Sequence, residues 1–382
     1  MEIIASGQSC MASQLRELNE SLVKVDQPLK WDVFSAKGEL LLQKGYIVRS
    51  DSQLQSLLER GMYASAADID KSKVELRPPE YDPFMEWDTL RKKFSRLGLV
   101  QLEKEAPRVL GDIESSAASI STLIDKHPDA AIFELMQMDL TNYVAGHNLQ
   151  TAVLVTILAK RMDWDPASVD TLCRAATTMN IAILELQSKL AVQKEPLTQA
   201  QRDLLNGHGK RGRALLESMG VIDADWLRAV EEHHPDAVGE GKSMSEMAGI
   251  IHHADVYLAK ISPRAYRTAK PPNVAAKEMF QGKSLSQGIA GIIIKEIGIY
   301  PPGSYVRLNN GETAIVTARG VQAHSPTVYS LVNGAGMPLG EPVLRDTQAA
   351  NFAVSAIVPR NKVMVMVNRT KLFGKKKYVA FG

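Results

Sequence analysis

Between residues 128 and 297 apolar positions return every three to four residues, the period of helices packed on a shared core. Helical runs are predicted over 131–162, 166–190, 198–219, 223–234, 244–262 and 273–298. Asp163 to Pro166 separates the first two. Thr198 with Gln201 makes a capping box, Gly220 closes the third run and Pro235 stops the fourth. Upstream, Leu90, Phe94 and Leu97 share one helical face, and Val109, Leu110, Ile113, Ile120 and Leu123 continue the pattern beyond a break before Pro107. After Pro301-Pro302-Gly303 the period falls to two. Tyr305 to Leu308, the hairpin signal Asn309-Asn310-Gly311, Thr313 to Val316, Val328 to Val332 and Lys362 to Val367 read as strands.

Residues 22–62 follow a third pattern, that of a small α+β unit. Trp31, Val33 and Phe34 precede a turn at Ala36-Lys37-Gly38, and Leu40 to Leu42 return as a strand. Ser50 with Gln53 caps a short helix carrying Leu54, Leu57 and Leu58, which Gly61 ends. Residues 64–84, with Pro78, Pro79 and Pro83, read as a linker. The expected fold is mainly α: a helical domain flanked by a small N-terminal α+β module and a small C-terminal β unit. Its expected divisions are 1–75, 76–127 (linker and helices), 128–298 and 299–382. The helices of 85–125 either form a signalling or dimer seam or simply cap the next domain, so a homodimer stays among the partners considered.

Composition narrows the class. Of 382 residues, 45% are hydrophobic and 23% charged, which is globular composition for two to four domains. A net charge of +2 gives no general attraction to DNA or anionic lipid. Cys10 and Cys173 are too far apart in the chain to suggest a disulfide framework, in keeping with a reducing compartment. The N-terminus lacks a signal-peptide pattern and no stretch has the length of a membrane span, so a cytoplasmic protein is expected. Three lysines, Lys375 to Lys377, read as a solvated tail.

Candidate chemistry gathers in 143–270, which holds six of the eight histidines (147, 208, 233, 234, 252 and 253). His147 shares a face with Tyr143, Thr151, Leu154 and Leu158, and His208 with Leu204, Arg211 and Leu215. Asp255, beside Ile251 and Leu258, should turn inward, where a carboxylate is costly unless paired or metal-bound. Vicinal His233 and His234 end a helix before Pro235. Each alone reads as a core residue; five such residues in order on successive helices read as a metal-binding set.

That order resembles the HD superfamily of metal-dependent phosphohydrolases, and within it the HD-GYP family, whose members hydrolyse cyclic di-GMP. Ala254-Asp255-Val256-Tyr257 followed by Arg264-Ala265-Tyr266-Arg267 and Lys270 is similar to the family's A-D-x-Y…R-x-Y-R-x-x-K. Gly298 to Ser304, with Val306-Arg307-Leu308 and Gly311, resembles the usual end of such domains. The related HDOD family lacks these R-x-Y-R and Y-P-P-G signatures. The resemblance covers roughly 140–320. It implies metal ligands at His147, His208, His233, His234 and Asp255, and phosphate contacts from Arg264, Arg267 and Lys270.

The departures set the functional expectation. Where the family carries His-Asp-x-Gly-Lys, this chain has Met179-Asn180-Ile181-Ala182-Ile183, and Gly239-Glu240-Gly241-Lys242 replaces Gly-Tyr-Pro. A thioether suits a hard hydrolytic ion poorly, and an amide cannot supply the bridging charge. Asp255 alone cannot balance two divalent ions. The remnant set is therefore expected to hold no catalytic residues, and no cofactor beyond a single divalent ion (zinc, iron or manganese) at His208, His233 and His234. Without that ion, Asp255 would pair with His147. The implied function is a non-catalytic bacterial signalling protein binding cyclic di-GMP or partner signalling proteins. The alternative is a cyclic di-GMP phosphodiesterase working through a reduced metal site.

Overall fold

The computed structural model describes residues 15–18, 23, 25, 27–59, 61–69, 81–98, 100–137, 143–238, 243–263, 268–282 and 287–373. The chain divides into two compact units, residues 1–82 and 83–382.

The first unit is a small sheet with one helix. Strands β1 (Leu15–Glu17), β2 (Val33–Phe34), β3 (Leu40–Leu42) and β4 (Tyr63–Ser65) lie in the order β1-β4-β2-β3, all antiparallel. Helix α1 (Asp51–Glu59) begins where Gln53 donates its backbone N–H to Ser50 Oγ. Val33, Val48, Met62 and Ala64 are fully buried, with Leu54, Leu57 and Leu58 packed on them. The expected linker from residue 64 is thus corrected at its start. Tyr63–Ser65 pairs with Leu15–Glu17, a partnership between short segments that local composition does not show.

The second unit is mainly α. Helices α2 (Pro83–Leu97), α3 (Ala106–Lys126), α4 (Pro128–Met136), α5 (Tyr143–Arg161), α6 (Pro166–Thr178), α7 (Leu184–Val192), α8 (Gln199–Leu205), α9 (His208–Ser218), α10 (Ala224–Glu232), α11 (Glu246–Ile261), α12 (Pro272–Gln281) and α13 (Gln287–Ile297) follow in order. Central among them is α5, whose Leu149, Val153, Leu154 and Leu158 are wholly buried. A helix buried on all sides belongs inside a domain. Among the described residues, no helix is long and apolar enough to cross a membrane.

Several predicted runs are two helices each. The run 131–162 divides into α4 and α5, 166–190 divides at Met179–Ile183, and 198–219 divides at Asn206-Gly207. The run 273–298 divides into α12 and α13. Apolar spacing persists across a break because both pieces face one core, so periodicity alone joins them. Gly207 marks one break by its φ of +71°, which a non-glycine residue adopts only with strain.

Strands β5 (Tyr305–Leu308), β6 (Thr313–Ala318), β7 (Thr327–Val332), β8 (Pro338–Arg345) and β9 (Val354–Val358) make an antiparallel sheet in the order β8-β7-β6-β5-β9. The hairpin expected at Asn309-Asn310-Gly311 is present, with Tyr305 opposite Ile315. The strand predicted over 362–367 is absent. Its alternation has another cause: Val363, Val365 and Val367 pack on the core while Met364 and Met366 are almost fully exposed. The short helix α14 (Arg369–Phe373) closes this region, with Arg369 between Asp88 and Glu134 at 2.8 and 2.9 Å. Lys375 to Lys377 lie outside the described residues.

Candidate metal centre

The site is built on the contact between α9 and the end of α10. Asp223 caps α10 by accepting from the N–H groups of Asp225 and Trp226. Pro235 prevents α10 from continuing, so His233 and His234 leave the helix at its last turn. Opposite them, α9 opens with His208-Gly209. A Cβ at Gly209 would stand 2.4 Å from the carbonyl oxygen of Glu231 and 2.9 Å from that of Val230. Only glycine lets the two backbones meet so closely, and the contact sets His208 against His233.

The rings then arrange themselves with one polarity. His208 donates Nδ1–H to the Leu205 carbonyl at 2.6 Å, and His233 donates Nδ1–H to the Val230 carbonyl at 2.7 Å. A carbonyl only accepts, so these bonds fix both tautomers and leave each Nε2 as a lone pair. Those two Nε2 atoms stand 2.9 Å apart. Two lone pairs this close repel each other, and a cation between them, a proton or a metal ion, would relieve that repulsion. A proton is disfavoured: burial, with repulsion from His234 and His208, pushes His233 down to about 3. Burial likewise lowers His208. His234 completes the group, with ligand atoms of all three residues within 4.8 Å of one another. Neutral imidazoles with main-chain partners behind them suit a divalent ion of the zinc type.

His147 and Asp255 lie beside this group. His147 on α5 is buried, and its Nε2 is 2.6 Å from Oδ1 of Asp255 on α11. Burial raises the Asp255 carboxyl. The hydrogen bond to His147 and the attraction of His147, His234 and His233 outweigh it and hold the group well below the usual carboxylate range. The five predicted ligands thus fall into a triad and a hydrogen-bonded couple.

Met179, Asn180 and Ile183 are buried. Met179 is wholly enclosed at the end of α6, and Ile183 is buried in the turn that follows. Asn180 donates Nδ2–H to Asn148 Oδ1 at 3.3 Å, an amide pair next in sequence to His147. This segment lies behind α9: Ile181 Cγ2 and the Met179 carbonyl are 3.6 and 4.0 Å from where a Gly212 Cβ would be.

Of the expected phosphate contacts, Lys270 is engaged elsewhere. Its Nζ is 2.5 Å from Glu278 Oε1, and Lys260 Nζ is 2.9 Å from Oε2 of the same carboxylate. The two lysines draw the Glu278 carboxyl down to about 2. Arg264, Arg267 and the loop 239–242 lie outside the described residues.

Sequence reasoning assigned no role to His252. It stands three residues before Asp255 on α11, a spacing that puts both on one face, and its Nδ1 is 3.1 Å from the His233 carbonyl. The spacing was a usable signal; the carbonyl it meets was not, because that depends on how α10 ends.

No protein-family model matches the chain. It is 22% identical over 205 residues to the cyclic di-GMP phosphodiesterase PA4108 of Pseudomonas aeruginosa, covering 52% of this chain and 50% of that protein. It is 22% identical over 242 residues to the cyclic di-GMP phosphodiesterase PdeB of Borreliella burgdorferi, covering 60% of this chain and 64% of that one. The chain therefore spans between half and two thirds of the length of these relatives. Among solved structures, Bd1817, an HDG"Y"P protein from Bdellovibrio bacteriovorus, is matched at a TM-score of 0.47 and 15% identity, over 74% of this chain and 98% of that one.

Proposed function

Taking the chain's similarity to HD-GYP proteins as the premise, we propose that it is a degenerate form of that domain. It serves as a signalling protein that binds cyclic di-GMP or a partner protein and does not hydrolyse the nucleotide by a two-metal route. The observation that supports this reading is the inventory of anionic ligands. Asp255 is committed to His147, and Asn180, at the position where the resemblance calls for a bridging carboxylate, is committed to Asn148. Two divalent ions would bring four positive charges against one carboxylate, which buried imidazoles cannot offset.

A single ion is a different matter. His208, His233 and His234 offer converging nitrogens, and the close approach of two lone pairs favours a cation there. When bound, such an ion would supply Lewis-acid polarisation of a phosphodiester or of water. This keeps open a second reading, a phosphodiesterase working through a reduced site. In either case His208 and His233 hold their rings by main-chain hydrogen bonds, and Asp255 keeps His147 oriented.

Metal analysis of the purified protein, paired with calorimetric binding and hydrolysis assays on cyclic di-GMP, separates the readings. The expected result is at most one ion per chain and no turnover. Two ions per chain with hydrolysis would overturn the proposal, and one ion with hydrolysis would select the second reading.

A further inference from the structure

We propose that His252 is a positioning residue of the histidine centre: its Nδ1–H holds the His233 carbonyl and so fixes the His233-His234 step against His208. The inference rests on the reading that these three rings hold a divalent ion.

The need for such a residue arises where α10 stops. In a continuing helix the His233 carbonyl would receive the N–H of Ala237; here that N–H goes to His234 instead, at 3.0 Å. The His233 carbonyl is then one of the orphan acceptors that every helix end leaves. His252 reaches it from α11 at 3.1 Å. Because the acceptor is a carbonyl, His252 carries its hydrogen on Nδ1, the same tautomer as His208 and His233. Its ring lies 6.0 Å from that of His234 at a near-perpendicular 80°. It lies outside the group whose ligand atoms converge within 4.8 Å. His252 therefore grips the main chain of a ligand residue rather than the ion. Its neighbour His253 turns away, donating Nδ1–H to Gly249 within its own helix at 2.6 Å. Asp255, on the same face as His252, brings α11 to the site through His147. One helix thereby steadies the triad through His252 and the flanking couple through Asp255.

The test uses the full chain with three substitutions, His252→Ala, His252→Phe and His252→Asn. Asparagine can place an N–H close to the Nδ1 position; alanine and phenylalanine cannot. Zinc titrations against a competing chelator should show affinity weakened about ten- to a hundredfold in the Ala and Phe variants at unchanged stoichiometry, the usual effect of losing an outer partner of a ligand. The Asn variant should recover most of it. Wild-type affinity in His252→Ala, or loss in His252→Asn as deep as in His252→Ala, would overturn the positioning role. Long-range proton–nitrogen imidazole spectra of the metal-free protein give an independent readout. They should show His252 with Nδ1–H, and His208 and His233 leaving that form in His252→Ala. If the wild type takes up no zinc, the metal reading fails, and these spectra alone decide: an Nε2–H tautomer at His252, or unmoved signals for His208 and His233 in the variant, defeats the proposal.

Discussion

His147 Nε2 and Asp255 Oδ1 lie 2.6 Å apart, joining α5 to α11 across 108 residues of sequence. Truncation as Asp255→Ala should destabilise the second unit by about 2–3 kcal/mol, because a hydrogen bond to a charged group is lost and a buried ring keeps its polar atom. The carboxyl is depressed in the folded state. Its stabilising contribution is therefore full above the ordinary carboxylate value of about 3.9 and is lost as pH falls through the lower folded value. Urea unfolding followed against pH should show a shallower acid limb in Asp255→Asn than in the wild type. Parallel limbs would mean the pair contributes nothing.

His233 and His208 respond to pH at a higher range. His233, and to a lesser extent His208, stay neutral in the folded chain below the point where the unfolded chain takes up protons. The unfolded state thus binds more protons between about pH 6.5 and pH 3, so stability rises with pH there and drops on acidification. The expected slope is on the order of 1 kcal/mol per pH unit for each ring concerned. Metal-free protein should show this loss from about pH 6 downward, and His233→Gln should reduce it. A flat profile from pH 7 to 4 would contradict the neutral state described for His233 and His208.

Gly209→Ala should damage the centre more than a single methyl group suggests. Its Cβ meets the Glu231 and Val230 carbonyl oxygens, which are main chain and cannot swing aside. The strain should cost about 1–3 kcal/mol. Separation of α9 from α10 should also move His208 from His233 and abolish metal uptake even where the fold survives. Circular dichroism melts with parallel zinc titrations would check both parts.

The chemistry of the site was more legible in the sequence than its architecture. His147, His208 and Asp255 stand out on apolar helical faces and His233-His234 as a vicinal pair at a helix end, and the structure brings the five into one region. Their grouping as a His208, His233 and His234 triad beside a His147-Asp255 couple follows the expectation drawn from the resemblance, but the close approach that Gly209 permits between the two backbones was not legible. Helix periods were readable, but not the breaks at Met179–Ile183 and Asn206-Gly207, because both flanks pack on one core. The valines of 363–367 alternate like a strand although no strand forms, since alternation reports burial and not pairing. Strands β8 and β9 escaped notice because Pro338–Arg345 is mostly exposed and Val354–Val358 is only half-buried, so neither shows a wholly buried face.

Restoring the missing ligands should not restore full catalysis. Asn180→Asp places a carboxylate in a buried site beside Asn148, which should cost about 1–3 kcal/mol in metal-free protein. Added manganese should recover that loss, most clearly in the double variant Met179→His/Asn180→Asp. Hydrolysis of cyclic di-GMP by the double variant should stay weak, because Ile183 is apolar and buried where the resemblance calls for a lysine. Vigorous turnover would show that position 183 matters little.

The meeting of α9 and α10 through bare peptide groups has a last consequence. The gap between the two imidazoles is gauged by a hydrogen atom at position 209, not by the sizes of surrounding apolar side chains. Core substitutions elsewhere can soften the bundle and lower its melting point while the ring spacing stays put. Loss of global robustness and loss of ion selectivity should therefore sort onto separate positions when the chain is mutagenised at random.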